Sequence, residues 1–194
     1  MRAGEFSTIN DRMNESTPPK VLAEGRYLRL LTSEGWDYAE RTCATGAVVV
    51  VAVTETGRLL LAEQYRIPVA ARVLELPAGI VGDEPGRESE SFESAARREL
   101  LEETGYEAGA LAELTHGPPS AGFSSEVVTF FHATGLKRVH DGGGVHREEI
   151  HVHEVPLGEV VEWLAGKQGE GVLIDPKVYA GLFFANEKTS SNST

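Results

Sequence analysis

The spacing of apolar positions changes several times along the chain, and each change predicts a different element. Residues 46–53, "GAVVVVAV", are an unbroken and mostly β-branched run, which predicts a strand buried on both faces. A turn is predicted at 54–57, "TETG", because Gly and polar residues interrupt the apolar run. Further strands are predicted, in chain order, over 58–66, 72–81 with a break at Pro77, 126–135 and 149–156.

Three stretches have the apolar spacing of helices. The helix with the clearest end signals is predicted over residues 92–104. Ser91 can cap its first turn, and Gly105 can end it in a left-handed conformation. Two later helices are predicted over 157–167 and 176–186. Strands followed by a helix, more strands and then helices predict an α+β fold with a mixed sheet between helices.

The two ends of the chain differ from its middle. Residues 1–20 are polar and unpatterned, which predicts a tail that is disordered or of non-native origin. Residues 21–45 alternate weakly and predict an N-terminal antiparallel strand arm with a turn near 33–35. The main domain is assigned to 46–186, and 187–194 are again predicted to be disordered.

Composition narrows the class of protein. The chain has 194 residues with 30 acidic and 18 basic side chains, and its net charge of −12 argues against nucleic acid or an anionic membrane as the main partner. No apolar run approaches the ~18 residues that span a bilayer, and the N-terminus lacks the apolar core of a signal peptide. Cys43 is the only cysteine, so an intrachain disulfide is impossible. These features predict a cytoplasmic protein.

The first predicted helix carries carboxylates on the side that its apolar residues turn toward the core. On a helical wheel, Leu100, Ala96 and Phe92 span an arc of about 80°. Glu103 falls inside this arc and Glu99 about 20° beyond it, whereas a solvated acidic face would lie opposite. Like charges at helical spacing repel, and more strongly when desolvated, so a bound cation is the economical explanation. Carboxylates without nearby His or Cys select Mg²⁺ or Mn²⁺.

Residues 90–106 resemble the signature of the Nudix hydrolase family, in which a glutamate is followed seven residues later by R-E-U-x-E-E-x-G-U, where U is a bulky apolar residue. Here Glu90 is followed after seven residues by "RELLEETGY". The glycine expected six residues before Glu90 is replaced by Glu84, and its nearest counterpart is Gly79. The loop between Gly79 and Glu90 is therefore enlarged.

Flanking segments narrow the resemblance. The segments "EQYR" (63–66), "LELPAG" (74–79) and "PPSAGFSSE" (118–126) look like the ADP-ribose and nucleoside-diphosphate-sugar pyrophosphatase branch, although Ala121 stands where a proline is usual. The resemblance covers roughly residues 21–186. It implies a Nudix fold and a homodimer in which the N-terminal strands cross to the partner.

The resemblance also implies a reaction, which is hydrolysis of the diphosphate linkage of ADP-ribose or a related nucleoside-diphosphate sugar with Mg²⁺, or Mn²⁺ as a substitute. It assigns metal binding to the carbonyl of Ala78 and to the carboxylates of Glu90, Glu99, Glu102, Glu103 and Glu148. The implied catalytic residues are Glu148, as base or as a further metal ligand, Glu103, and Arg98, which orients the glutamates. Glu149 is the alternative to Glu148 if the register slips.

Substrate contacts are expected from Arg66, Glu75, Trp36 and Glu126. Arg66 either contacts phosphate or the distal sugar, or is a surface charge on an edge strand. Glu75 stands between two leucines of a strand, so its side chain points away from theirs and toward a cleft. Trp36 either stacks on the base or packs in the core or the dimer. Glu126 reaches the substrate through the loop that precedes it.

Three other functions stay open. The chain could hydrolyse GDP-mannose or another nucleotide sugar, or damaged nucleoside triphosphates, although the segments at 63–66 and 74–79 speak against the triphosphates. A sensor that binds nucleotide sugars without cleaving them is a different class. Such sensors tend to lose signature glutamates and to carry a DNA-binding appendage, whereas this chain keeps its signature glutamates and shows no basic segment of that kind.

Overall fold

The computed structural model of the protein describes residues 18–145 and 149–191. In chain order the elements are β1 (Lys20–Glu24), β2 (Leu28–Ser33), β3 (Trp36–Arg41), β4 (Gly46–Ala52), β5 (Arg58–Arg66), a 3₁₀ turn (Ile67–Val69), β6 (Ala71–Glu75), β7 (Ala78–Val81), α1 (Phe92–Thr104), β8 (Tyr106–Glu107), β9 (Ala110–Gly117), β10 (Val128–Thr134), β11 (Lys137–Arg138), β12 (His151–Pro156), α2 (Val160–Gly169), β13 (Leu173–Ile174) and α3 (Pro176–Ser191).

The N-terminal arm is a three-stranded antiparallel sheet in the order β1-β2-β3. Ser33 pairs with Trp36, and the two residues between them, Glu34 and Gly35, have φ of 51° and 83°. Two successive residues with positive φ are what a two-residue hairpin turn of type I′ requires. The antiparallel arm and the position of its turn are therefore confirmed.

Backbone hydrogen bonds dock this arm on the loop that precedes β10. The Ala39 N–H donates to the Phe123 carbonyl at 2.9 Å, and the Ser125 N–H donates to the Ala39 carbonyl at 3.1 Å. This pair of bonds places β3 along the segment that the sequence marked as a candidate substrate loop.

Two four-stranded sheets form the centre of the molecule. One has the order β7-β4-β10-β9 with β4 and β10 parallel, and the other has the order β12-β5-β6-β13 with β6 and β13 parallel. The remaining pairs are antiparallel, and β8 and β11 form a small separate pair. Both sheets are mixed, whereas the sequence predicted one mixed sheet.

Strand β4 is buried on both faces because helices cover each face. Val49 and Val51 pack into a core with α2 and α3, whereas Val48 and Val50 pack into a second core with α1. All four valines are at most 1% exposed. The sheet therefore lies between helices, and the unbroken apolar run is explained by burial on two sides.

Two predicted helix boundaries shift by three residues or more. Helix α2 begins at Val160 rather than at residue 157, because the Glu159 N–H donates to the Pro156 carbonyl and closes a turn first. Helix α3 continues to Ser191, so residues 187–191 of the predicted disordered tail are helical. The remaining tail residues, 192–194, and residues 1–17 of the predicted N-terminal tail lie outside the described residues.

Strand β9 is the one substantial element that the apolar pattern does not predict. Its sequence, "ALAELTHG", has little alternation because the strand lies at the edge of its sheet and is mostly exposed. Within the described ranges, no helix is long and apolar enough to cross a membrane.

Candidate active site

Helix α1 begins and ends where its caps predict. The Ser91 side chain accepts a hydrogen bond from the Ser94 N–H at 3.1 Å, and Gly105 has φ of 76° with its N–H donating to the Leu101 carbonyl. The face toward the core buries Ala96, Leu100 and, at 5% exposure, Glu103. The helical wheel thus placed Glu103 correctly on the buried side.

Arg98 is the centre of a buried ionic cluster with three glutamates. Its guanidinium donates to both oxygens of Glu90 at 3.2 and 3.1 Å, to Glu99 at 2.7 Å and to Glu102 at 3.2 Å. A further bond runs to the Ile80 carbonyl at 3.3 Å. The Arg98 side chain is 9% exposed and that of Glu90 is 4% exposed, so the planar fork of arginine satisfies several desolvated oxygens at once.

Burial and neighbouring charges shift the pKa values of this cluster in opposite directions. Burial opposes the charge on Arg98, but hydrogen bonds and Coulombic attraction from Glu90 and Glu99 outweigh it and raise the pKa of the guanidinium. Burial likewise raises the pKa of Glu90, but the hydrogen bond and the charge of Arg98 lower it to a greater extent. Both groups are therefore held in their ionised forms.

Two candidate metal ligands meet the backbone of β7. Glu103 Oε2 accepts a hydrogen bond from the Ala78 N–H at 3.0 Å. Glu99 lies so close to Gly79 that a Cβ at that glycine would be 1.9 Å from Glu99 Oε1. The absent side chain of Gly79 is thus what gives the Glu99 carboxylate its place beside the strand.

These residues line a cavity of about 300 Å³. Its polar lining includes Gln64, Arg66, Glu75, Asp83, Glu99, Glu103 and Glu126, together with the backbone of Ala78 and Gly79. Arg66 Nε donates to Glu75 Oε2 at 2.7 Å, and Glu75 is 8% exposed. The strand alternation had placed Glu75 on this side, and the structure brings it together with Arg66, Glu99, Glu103, Glu126 and Ala78.

A second, larger cavity of about 730 Å³ adjoins the first. Its walls come from the arm and from the loop before β10, and they include Leu28, Ala39, Ser120 and Phe123. The two cavities share three lining residues, which are Arg41, Glu126 and Lys177. Arg41 Nε donates to Glu126 Oε2 at 2.5 Å, so an ion pair stands at the junction.

Four predicted site residues lie outside these linings. Glu90, Glu102 and Arg98 are held in the ionic cluster behind the small cavity. Trp36 is 63% exposed and lines neither cavity, although its ring lies against Gly122. Within one chain, Trp36 is thus not placed to stack on a ligand in either cavity.

The late-loop candidate Glu148 lies outside the described residues. Its alternative, Glu149, is described and has an 85% exposed side chain, 3.9 Å from Nε2 of His151.

Sequence reasoning missed several polar residues of the cavities, among them Gln64, Arg41 and Lys177. Lys177 carried a signal, because a lysine in the first turn of a helix opposes the helix dipole and needs another reason to be there. Part of that reason is Asp175, whose carboxylate pairs with Lys177 Nζ and accepts a hydrogen bond from the Lys177 N–H at 2.8 Å. Arg41 carried no comparable signal, and Gln64 was noted only as part of the segment 63–66 that resembles the family.

The residues around Gly79 fit a hard divalent cation by the chemistry of their donors. Carboxylate and carbonyl oxygens are the ligands that Mg²⁺ and Mn²⁺ prefer, and the backbone leaves Glu99 room beside β7. As placed, no three His, Cys, Asp or Glu side chains among residues 18–145 and 149–191 are grouped closely enough to hold a metal ion. Coordination of one cation by several of these carboxylates would therefore require their side chains to draw closer together than they are here.

A family model described as the NUDIX domain matches residues 44–181. Two curated relatives match over 126 residues, which are 63% of this chain and 64% of each relative. ADP-ribose pyrophosphatase of Bacillus subtilis (strain 168) is 35% identical, and the methanol dehydrogenase activator of Bacillus methanolicus is 32% identical. The chain thus spans slightly less than two thirds of the length of these proteins.

Two further comparisons extend the coverage. GDP-mannose pyrophosphatase of Yersinia enterocolitica is 30% identical over 140 residues, which are 66% of this chain and 70% of the relative. A solved structure described as the crystal structure of an ADP compounds hydrolase superposes with a TM-score of 0.64 at 22% sequence identity, covering 92% of this chain and 98% of that one. The superposition shows that the two proteins share a fold.

Proposed function

The chain belongs to the NUDIX family, and from that premise we propose that it hydrolyses the diphosphate linkage of ADP-ribose or a related nucleoside-diphosphate sugar. The products are a nucleoside monophosphate and a sugar phosphate, and a divalent cation, Mg²⁺ or Mn²⁺, is required. Relatives named ADP-ribose pyrophosphatase and GDP-mannose pyrophosphatase support this class of substrate.

The observation that carries the proposal is the pair of adjoining cavities with three shared residues. A nucleoside-diphosphate sugar has two bulky groups joined by a charged diphosphate. The larger cavity has the size of a small-molecule site and suits one bulky group. The acidic small cavity suits the metal-bound diphosphate, and Arg41 and Lys177 at the junction supply positive charge where the phosphates would lie.

Each candidate metal ligand has a neighbour that holds it in place. Glu99, Glu103 and the Ala78 carbonyl would hold the cation, with Glu102 and Glu90 as supporting ligands. When bound, the cation neutralises phosphate charge and lowers the pKa of a coordinated water. Arg98 is the positioning residue, because its guanidinium already bridges Glu90, Glu99 and Glu102.

The remaining site residues are assigned to substrate and to proton transfer. Arg66, kept in orientation by Glu75, is assigned to phosphate or the distal sugar, and Glu126 to the substrate group at the junction. Glu148 is assigned to deprotonating the attacking water or to completing the metal site. It lies outside the described residues, so the assignment rests on the resemblance of its segment.

A homodimer in a reducing, cytoplasmic setting completes the proposal. The arm exposes apolar side chains, among them Leu22 at 47%, Tyr27 at 65% and Trp36 at 63%. A second copy of the chain would cover such a surface and could bring its own Trp36 to the larger cavity. Analytical ultracentrifugation tests this directly, and a monomer at all micromolar concentrations would contradict it.

The test of the function is a substrate panel with Mg²⁺. Release of AMP, GMP or UMP is measured from ADP-ribose, ADP-glucose, GDP-mannose, UDP-glucose and diadenosine compounds. Preference for ADP-ribose supports the main proposal, and preference for GDP-mannose selects the alternative that the Yersinia relative favours. Binding of these compounds without turnover would indicate a nucleotide-sugar sensor and overturn the hydrolase proposal.

A further inference from the structure

The glycine run at 142–144 packs against the end of α1, and the proposed reaction gives it no role. Gly142, Gly143 and Gly144 have φ of 71°, 109° and 81°, which is the region that favours glycine. The Gly143 N–H donates to the Glu103 carbonyl at 2.9 Å, and the Gly144 N–H donates to the Glu102 carbonyl at 3.0 Å. These carbonyls belong to the last turn of the helix, where no intrahelical partner exists.

The backbones at this contact approach more closely than any side chain would allow. A Cβ at Gly142 would lie 2.5 Å from the Thr104 carbonyl carbon, and a Cβ at Gly105 would lie 2.1 Å from the His140 carbonyl oxygen. In both cases the obstacle is backbone, which cannot move aside as the end of a flexible side chain can. Glycine is therefore required at both positions for the two segments to meet.

The contact also closes the loop on itself. The Gly143 carbonyl accepts a hydrogen bond from the Ile150 N–H at 3.2 Å. Gly143 thus links Ile150, the residue before β12, to the backbone carbonyl of Glu103, whose carboxylate lines the small cavity.

We propose that the glycine run 142–144 is a positioning element for the carboxylates of Glu102 and Glu103. By capping the last turn of α1, it keeps that turn, and with it the two carboxylates that would bind a divalent cation, in place relative to β7. A helix end without such a cap frays, and fraying would move both carboxylates relative to β7. The catalytic part of this inference rests on the proposed function, whereas its structural part does not.

The test compares Gly142→Ala with Gly171→Ala. Gly171 also has positive φ, at 87°, but a Cβ there meets nothing within 4 Å, so this control carries the conformational strain without the collision. In Gly142→Ala we expect the affinity for Mn²⁺, measured by electron paramagnetic resonance, to weaken about tenfold. We also expect kcat to fall at least about tenfold, with little change in KM. Gly171→Ala should retain both values within about twofold.

Equal Mn²⁺ affinity in the two folded variants would overturn the proposal. If Gly142→Ala does not fold, hydrogen exchange of the unaltered protein decides, because the amides of Gly143 and Gly144 should exchange as slowly as those in the middle of α1. Exchange at the rate of an open loop would overturn the proposal in that case. Mn²⁺ binding and hydrogen exchange are both measured without a substrate. If the protein hydrolysed no diphosphate, that result would therefore count against the proposed function and not against the role of the glycine run.

Discussion

Gly79 faces Glu99 with no room for even a methyl group, since a Cβ on the glycine would be 1.9 Å from the carboxylate oxygen. Strand β7 and helix α1 are held together at this point by backbone on one side and a carboxylate on the other. The position of a candidate metal ligand is thus set by an absent side chain, which makes the glycine itself a sensitive place to test the site.

Gly79→Ala should lower kcat by about 10–100-fold, because Glu99 must move away from β7 and a displacement near 1 Å is costly at a reacting centre. Gly117→Ala in β9 is the matched control, since a Cβ at that strand glycine meets nothing within 4 Å. Steady-state kinetics and thermal unfolding would be measured for both. Full activity in Gly79→Ala would show that Glu99 can move without consequence.

Glu103→Gln should reduce turnover by about 10²-fold or more and weaken metal activation, because an amide is a poorer ligand for a hard cation than a carboxylate. Glu93→Gln on the same helix is the control, as its side chain is 56% exposed and pairs with Arg97. Activity would be titrated with Mg²⁺ for both variants. Unchanged kcat and Mg²⁺ dependence in Glu103→Gln would remove Glu103 from the ligand assignment.

Arg98→Met should lower the free energy of unfolding by about 3–5 kcal/mol, because it leaves the desolvated Glu90 carboxylate without its main cation. Arg97→Met removes a neighbouring arginine whose side chain is 40% exposed, so a loss of about 1 kcal/mol is expected there. Urea unfolding measures both. The second variant Arg98→Lys should recover part of the stability but little activity, since lysine lacks the planar fork. Equal losses in Arg98→Met and Arg97→Met would contradict the cluster's role.

Stability should fall in acid through Glu63, a carboxyl of β5 that is 6% exposed and hydrogen-bonded to Arg72, His153 and Lys167. Burial raises its pKa, but these three partners lower it from 4.5 to about 2. Because the pKa of Glu63 is lower in the folded state than in the unfolded state, the ionised carboxylate stabilises the fold by about 3 kcal/mol at pH values above 4.5. This stabilisation is lost as the pH falls from 4.5 toward 2.

Urea unfolding from pH 7 to pH 2.5 tests this linkage. Glu63→Gln should be less stable at pH 7 and should show a flatter decline below pH 5, whereas Glu55→Gln in an exposed turn should follow the unaltered protein. Burial also lowers the pKa of His153, against the opposing effect of Glu63, and this adds an earlier loss of stability below pH 6.5 in the unaltered protein. An unaltered slope in Glu63→Gln would contradict the linkage.

Glu148→Gln should slow turnover strongly with little change in thermal stability, because the residue is assigned to the attacking water and not to the core. Glu149→Gln discriminates the two candidates, since its side chain is 85% exposed and makes a distant contact to His151. kcat of both variants would be compared at saturating Mg²⁺. A near-normal rate in Glu148→Gln with a slow Glu149→Gln would transfer the role to Glu149.

Local signals made α1 and its buried carboxylate predictable. Ser91 and Gly105 mark its ends within the helix's own sequence, and helical periodicity alone places Glu103 on the buried face. The same applies to β4, whose valines need apolar neighbours on both sides wherever the strand lies. Such elements are encoded within about a dozen neighbouring residues, so they can be inferred before the fold is known.

The rest of the candidate site depends on distant parts of the chain. Arg41 and Glu126 are 85 positions apart, and they meet because β3 docks on the loop before β10. Gly79 lies in a predicted strand, but its close approach to the Glu99 carboxylate is set only when α1 packs against β7. Periodicity does not report such contacts, because they are set by the packing of whole elements rather than by spacing along the sequence.

Because the arm docks on the loop before β10, different stretches of the chain contribute walls to the two cavities. Residues 20–41 contribute walls of the larger cavity, whereas 92–104 carry the carboxylates beside the smaller one. On the proposed function, substitutions at arm residues that line only the larger cavity, such as Leu28 and Ala39, would change which substrates are admitted and leave the lining of the smaller cavity unaltered. In evolutionary terms, selectivity could drift by changes in one short segment of the gene, under constraints different from those that preserve the chemistry.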